Sequence, residues 1–336
     1  MLYNCRQCGL TFSAMFEKGN KTNVSRRGLL AIIMLMILIA SVAVAYWLSS
    51  FRQKYNDTGT KIVQEIQQAT LSSLWKQRPV QRYYIISQDD KVVGWSAFFR
   101  VPTEKGDYQN LEIIMSIHEN KWLGAWEYSL INETASEGQY LAGFAGIADG
   151  NIQLAPDTGI LLKEGTVSVR QNRLLIPSQS VTPPNYLPEG TLPAAMQLVA
   201  KEKQRAYFKL IYNTEINRPV KGEMSTTRFG LANINFRGKE KIKVGDAEVD
   251  VSVVSLQRGV LGREEMQVQY LDDNGNALRI ESGSQIFNIV NPEQVFEKFP
   301  QAEAVIEAIA SNRLIGFPLA EFQKKAPTPV IPGNMD

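Results

Sequence analysis

The chain has 336 residues, 36 basic and 34 acidic, with 44% apolar and 21% charged. That composition is ordinary for a globular protein and excludes a collagenous, low-complexity or wholly disordered chain. A net charge of +2 gives no basic footprint for nucleic acid. Two cysteines and one histidine starve a disulfide scaffold and most catalytic or metal schemes.

The first element is expected to be a cytoplasmic tail over 1–28. It carries Cys5-Arg6-Gln7-Cys8-Gly9, which resembles one knuckle of a zinc ribbon. A closed zinc site needs four ligands, and no other cysteine exists. Cys5 and Cys8 are thus an incomplete metal pair. Either a second chain or a partner donates the remaining ligands of a shared zinc site, or the pair is reduced and unoccupied on a flexible tail, or translation starts at Met15.

Leu29 to Leu48 reads LLAIIMLMILIASVAVAYWL, twenty residues without a charge. As a helix it is roughly 30 Å long and matches the hydrocarbon core of a bilayer. Tyr46 and Trp47 sit where amphipathic rings favour the headgroup region. Residues 29–48 are therefore expected to be a transmembrane helix. Arg26 and Arg27 abut the run and favour a cytoplasmic N-terminus, with the rest of the chain exported from the inner membrane. A competing expectation is a cleaved signal. Ser25-Arg26-Arg27-Gly28-Leu29-Leu30 looks like a twin-arginine sequence, and Ala43-Val44-Ala45 like a cleavage site. The length and the Ile, Leu and Met content of the run favour a retained anchor.

A juxtamembrane helix is expected over 49–79. Asn56, Asp57 and Thr58 are N-cap candidates, Pro79 is a stop, and Ile62, Val63, Ile66, Leu71 and Trp75 approximate one face. That face packs on the following domain, or on its copy in a homodimer through residues 29–75.

Residues 80–323 read as an exported antiparallel β-rich domain with candidate halves 80–180 and 194–323. Tyr83–Ser87 and Val92–Phe99 flank Asp89-Asp90-Lys91, Leu111–His118 and Trp122–Ile131 flank Glu119-Asn120, and Thr166–Arg170 and Arg173–Ile176 flank Gln171-Asn172. Each pair reads as a hairpin. Five prolines between Pro177 and Pro193 mark an extended connection, and Ala194–Gln204 a short helix. Strands follow at Ala206–Tyr212, Phe229–Phe236, Lys241–Val244, Ala247–Leu256 and Glu265–Leu271. A type I′ turn at Asn274-Gly275 leads into Ala277–Glu281, and then comes Phe287–Val290. Pro292–Phe299 and Gln301–Ser311 read as helices, and 324–336 as a disordered tail.

Candidate chemistry is sparse. His118 is the sole histidine for a Ser-His-Asp arrangement, and at a strand end it reads as structural. Gly94-Trp95-Ser96-Ala97-Phe98 lacks the second glycine of a nucleophile elbow. Asp272-Asp273-Asn274-Gly275-Asn276 has its glycine at the wrong position for a calcium loop. Lys239, Lys241 and Lys243 share one strand face, as a solvated or edge-protecting stripe. Carboxylates are plentiful enough for a glycosidase pair, but no two acids are placed together by sequence.

Val244-Gly245-Asp246-Ala247-Glu248-Val249, Glu265–Leu271 and the D-x-x-G-x-x-L-R-I-E run from Asp272 to Glu281 resemble a pattern in bacterial exported domains. Tyr84-Ile85 and Lys91-Val92-Val93-Gly94-Trp95 echo their opening hairpin. Such domains occur in membrane-anchored proteins and in front of transglutaminase-like domains, and some are similar to the curved sheets of lipoprotein-carrier-like folds. No cysteine matches a transglutaminase nucleophile, so no catalytic residue carries over. The resemblance implies a curved antiparallel sheet with helices on one side.

The expected fold is thus α+β, mainly antiparallel β, behind one transmembrane helix. The expected function is an envelope binding or scaffolding domain, for a lipid, a lipidated ligand or an envelope protein, with no cofactor. The alternative is a carboxylate-dependent hydrolase of envelope polymers.

Overall fold

The computed structural model describes residues 26–75, 79–155, 158–164, 166–171, 174–181, 185–211, 229–260, 263–314, 317 and 319. Cys5, Cys8, Met15 and the tail 324–336 lie outside them. The chain divides into two units, Met1–Arg52 and Gln53–Asp336.

In the first unit, helix α1 (Arg26–Trp75) begins. Side chains from Ala31 to Ser50 are all exposed. Two of its hydroxyls turn back onto the helix, Ser41 Oγ donating to the Ile37 carbonyl at 2.8 Å and Ser50 Oγ to that of Trp47 at 3.0 Å.

The helix expected to start anew at Asn56 does not. Asn56, Asp57 and Thr58 lie inside α1, and Thr58 Oγ1 and Thr60 Oγ1 bond the carbonyls four residues back. In the second unit, Ile62, Val63, Ile66, Leu71 and Trp75 of α1 are buried in the domain's own core.

That unit is built on one antiparallel sheet. Its strands are β1 (Val80–Gln88), β2 (Lys91–Pro102), β3 (Tyr108–His118), β4 (Lys121–Ile131), β5 (Gly138–Ala148), β6 (Asn151–Leu154), β7 (Thr158–Lys163), β8 (Thr166–Gln171), β9 (Leu174–Val181), β10 (Arg205–Ile211), β11 (Phe229–Val244), β12 (Ala247–Val260), β13 (Arg263–Leu271), β14 (Ala277–Ser282) and β15 (Gln285–Val290). The order is β10-β11-β12-β13-β14-β15-β1-β2-β3-β4-β5-β7-β8-β9, with β6 also on β5. The two strand series therefore join through β15 and β1, from Tyr83 opposite Val290 to Gln88 opposite Gln285.

Helix α2 (Leu192–Glu202) lies between the series, and α3 (Pro292–Lys298) and α4 (Ala302–Arg313) follow the last strand. Val295, Phe299, Val305, Ile306 and Ile309 of α3 and α4 and the loop between them pack on Trp95, Phe99, Ile113 and Trp126 of the sheet's outer face. The other, concave face holds α1, α2 and a second core. A third cluster runs from Tyr84 and Ile86 of β1 through Phe287 of β15, Leu278 of β14 and Val268 of β13 to Val251 and Val253 of β12. Curvature is seen in the core around α1 and α2, where Tyr140 of β5 and Ile160 of β7 join Phe208 of β10 and Ile234 of β11, strands far apart in the order.

Two strand boundaries differ from the expectation for identifiable reasons. Pro177 does not end β9. It falls where the register with β8 shifts, beyond Ile176 opposite Val169 and before Gln179 opposite Ser168. A bulge on an edge strand tolerates a residue with no N–H to donate. Phe229–Phe236 and Lys241–Val244 form one strand, because Gly238 (φ 147°) absorbs a shift after Phe236.

Candidate functional site

Alternation along β2 to β5 sends one set of side chains to the helices and the other to the concave face. On the concave face, register builds three cross-strand rows. Arg100 opposes Asn110, which opposes Ser129, which opposes Tyr140. Beside it run Arg82, Phe98, Glu112 and Glu127, and then Tyr84, Ser96, Ile114, Ala125 and Phe144. Strands β12 to β15 bring Leu256, Arg258 and Phe287 across from them, and α2 brings Leu192 and Met196. A cavity of about 210 Å³ lies between these walls. At roughly 30 Å³ per water it admits part of a ligand, such as an acyl segment or a small head group.

The first row is wholly buried. Arg100 Nε donates to Asn110 Oδ1 at 2.9 Å, and Asn110 Nδ2 donates to Ser129 Oγ at 3.0 Å. The Arg100 guanidinium lies 3.5 Å over the ring of Trp75, the last residue of α1. Trp75 in turn meets Tyr108 edge-on at 4.9 Å. Burial above all, then the charge of Arg82, pulls Arg100 well below its ordinary value. A guanidinium starts so high that it keeps its proton.

Arg82 donates to Asn276 Oδ1 in the β13–β14 turn. Tyr84 Oη donates to the Ala277 carbonyl at 2.9 Å, and burial raises its pKa against the opposing pull of Arg82. Burial likewise raises Tyr108, and pushes Tyr128 up to about 12.

Glu112 and Glu127 are direct partners on β3 and β4, with Cβ atoms about 5 Å apart for such a pair, and both line the cavity. Sequence reasoning did not single out these acids or Arg82, Arg100 and Arg258. The available signal was a charge in the middle of aromatic-rich or aliphatic strands, as in Phe98-Phe99-Arg100 and Leu111-Glu112-Ile113.

Residues that the sequence did single out are placed elsewhere. His118 is exposed at the end of β3, its Nε2 3.0 Å from Ser116 Oγ. Lys239, Lys241 and Lys243 are exposed along the half of β11 that β10 leaves unpaired, opposite Ser252, Asp250 and Glu248. That arrangement protects an edge. The turn at Asn274-Gly275 is not type I′, because only Gly275 has a positive φ, 77°. Asp272 instead closes a five-residue loop, its Oδ1 accepting from the backbone N–H of Asn274 and Asn276 at 2.9 and 2.7 Å. This capping uses the carboxylate that a calcium loop needs.

No family model and no curated protein matches the chain. Among solved structures it is similar to a β-barrel-like protein of the DUF1849 domain from Brucella abortus, at 9% identity and a TM-score of 0.49, over 64% of this chain and 96% of that one. It is also similar to a DUF1089 protein from Pseudomonas aeruginosa, at 11% identity and a TM-score of 0.22, over 58% of this chain and 87% of that one. At these scores nothing further is carried over, and neither match links the chain to transglutaminase-associated or lipoprotein-carrier domains.

Proposed function

We propose that the chain is a single-pass inner-membrane protein whose exported β domain binds a lipid or lipidated ligand inside its curved sheet. The observation that carries this reading is the cavity, walled by apolar side chains such as Ile114, Leu256, Met196 and Phe287 and by a buried polar row. Ligand pockets combine these features: an apolar wall gives affinity and a few polar groups fix orientation. The anchor is supported by Ala31–Gln68, the one stretch of helix among the described residues long and apolar enough to span a bilayer. Arg26 and Arg27 favour a cytoplasmic N-terminus, so the β domain lies in the envelope. Stripped of lipid, the full chain takes up a fluorescent acyl probe saturably, and Ala125→Trp, which obstructs the cavity from its exposed rim, abolishes uptake. Absence of saturable uptake by the stripped parent chain ends this reading.

A second reading, a hydrolase of envelope polymers, rests on the Glu112–Glu127 pair. Two carboxylates facing one cavity are the minimum that acid–base glycoside chemistry requires. It predicts turnover of an envelope glycan by the purified chain, lost in Glu127→Gln. Equal turnover by the variant and the parent removes it.

A further inference from the structure

Arg100 is 3% exposed and Arg82 8%. Their guanidinium carbons lie 5.3 and 5.4 Å from the centroid of the same ring, Phe98. Among the described residues neither has a carboxylate partner. Arg82 is held by the neutral Asn276 side chain, and Arg100 by neutral Asn110. Arg100 Nη2 is buried with no acceptor among the described residues. A buried cation without a counter-charge is costly, and an arginine cannot relieve that cost by shedding its proton. Asp272 stands one side chain behind Arg82, bonded to Asn276, which leaves Arg100 as the cation that an anionic ligand would compensate.

We propose that Arg82, Phe98 and Arg100 form an oxyanion subsite of the cavity, which takes the phosphate or carboxylate head of an amphiphile. The apolar part lies along Ile114 and Phe287. Three observations fix the arrangement. Phe98 and Asn110, the strand neighbour and hydrogen-bond partner of Arg100, both line the cavity, so the cluster is one side chain from it. Glu112 opposes Phe98 on the side away from Arg82, with Glu127 beyond it, so the Arg100–Asn110–Ser129 row is the one without carboxylates and takes the head. In the other direction the concave face continues to Phe144, directly opposite Ala125, and to Leu123 two residues before it. Each is 49% exposed, and together they give an apolar exit for a chain. The planar fork of arginine matches an oxyanion bidentately, which selects this head-group chemistry over a neutral one.

The inference rests on the ligand reading of the cavity, and its test separates the two. The stripped full chain in non-ionic detergent is titrated with dihexanoyl phosphatidic acid, with the neutral dihexanoylglycerol and with inorganic phosphate. The expected result is that the phosphatidic acid binds at least about tenfold tighter than the neutral lipid, the ratio expected from charge-assisted hydrogen bonds. Arg100→Met removes that preference and leaves the unliganded chain as stable or more so, because a buried charge has gone. Inorganic phosphate binding as tightly as the lipid supports the subsite and assigns it to a free anion. Equal binding of both lipids by the parent chain overturns the subsite and leaves the lipid cavity standing. Binding of none of the three overturns both. The lipid comparison needs no variant, so a poorly folded Arg100→Met does not blunt it.

Discussion

A phenol ionises only where water or a cation can hold the charge, and Tyr128 has too little of either. Its pKa of about 12 reflects burial, in a cluster where its ring meets Phe317 edge-on at 6.2 Å. The sign follows directly. The folded state holds this proton more tightly than the unfolded chain, whose tyrosine pKa is about 10. The stabilisation is therefore complete below pH 10 and is lost as pH rises from about 10 to 12. Denaturant titrations at pH 8 and pH 11 test it: the parent loses stability between them, and Tyr128→Phe loses measurably less while differing little from the parent at pH 8. Identical losses would remove Tyr128 from the account. At this scale the site was poorly legible. The alternation around Trp95–Arg100 says that Arg100 and Phe98 share a face, but the face that receives a second wall of strands depends on residues more than 150 positions away, such as Leu256 and Arg258.

At the scale of elements, Gly59 shows how α1 is seated. A glycine inside a helix is ordinarily worse than alanine by about 1 kcal/mol. Here a Cβ would stand 1.8 Å from the Tyr207 backbone carbonyl oxygen on β10. The helix crosses this edge strand at backbone contact, and Tyr55 meets Tyr207 edge-on at 5.6 Å close by. Further along the same edge, Leu187 donates its N–H to the Lys209 carbonyl at 2.9 Å. Helix and connection thus share the work of covering the edge. Gly59→Ala should therefore reverse the usual sign and destabilise the β domain by about 1–3 kcal/mol, the cost of overpacking. Chemical denaturation of the full chain in detergent measures it, and a gain in stability would contradict this seating. Several elements were readable in advance. Asp89-Asp90 and Glu119-Asn120 adopt the paired positive φ values that two-residue hairpins demand. Strands β5, β6 and β7 were missed, since Gly143 and Gly146 dilute the strand signal of Gly138–Ala148. The continuity of α1 through Asn56–Thr58 was missed because good capping residues are also tolerated in a helix interior, where their hydroxyls bond backwards.

Over the whole molecule, the decisive long-range feature is the pairing of β15 with β1 across some 200 residues. Hydrophobic pattern identifies both as strands but carries no information on which distant edge each will meet. The sequence marks 80–180 and 194–323 as candidate halves on either side of the proline-rich connection. The sheet path runs through both of them, and its curvature encloses the cavity. The exposed apolar run from Ala31 to Ser50 gives the molecule a second preference, for hydrocarbon over water. The most direct test of both together is a native mass spectrum of the full chain, extracted from its own membranes in mild non-ionic detergent. The account predicts a species heavier than the 37.7 kDa polypeptide by one amphiphile, lost when Ala125→Trp obstructs the cavity. A chain recovered from the soluble fraction without detergent, at its bare polypeptide mass, would contradict it.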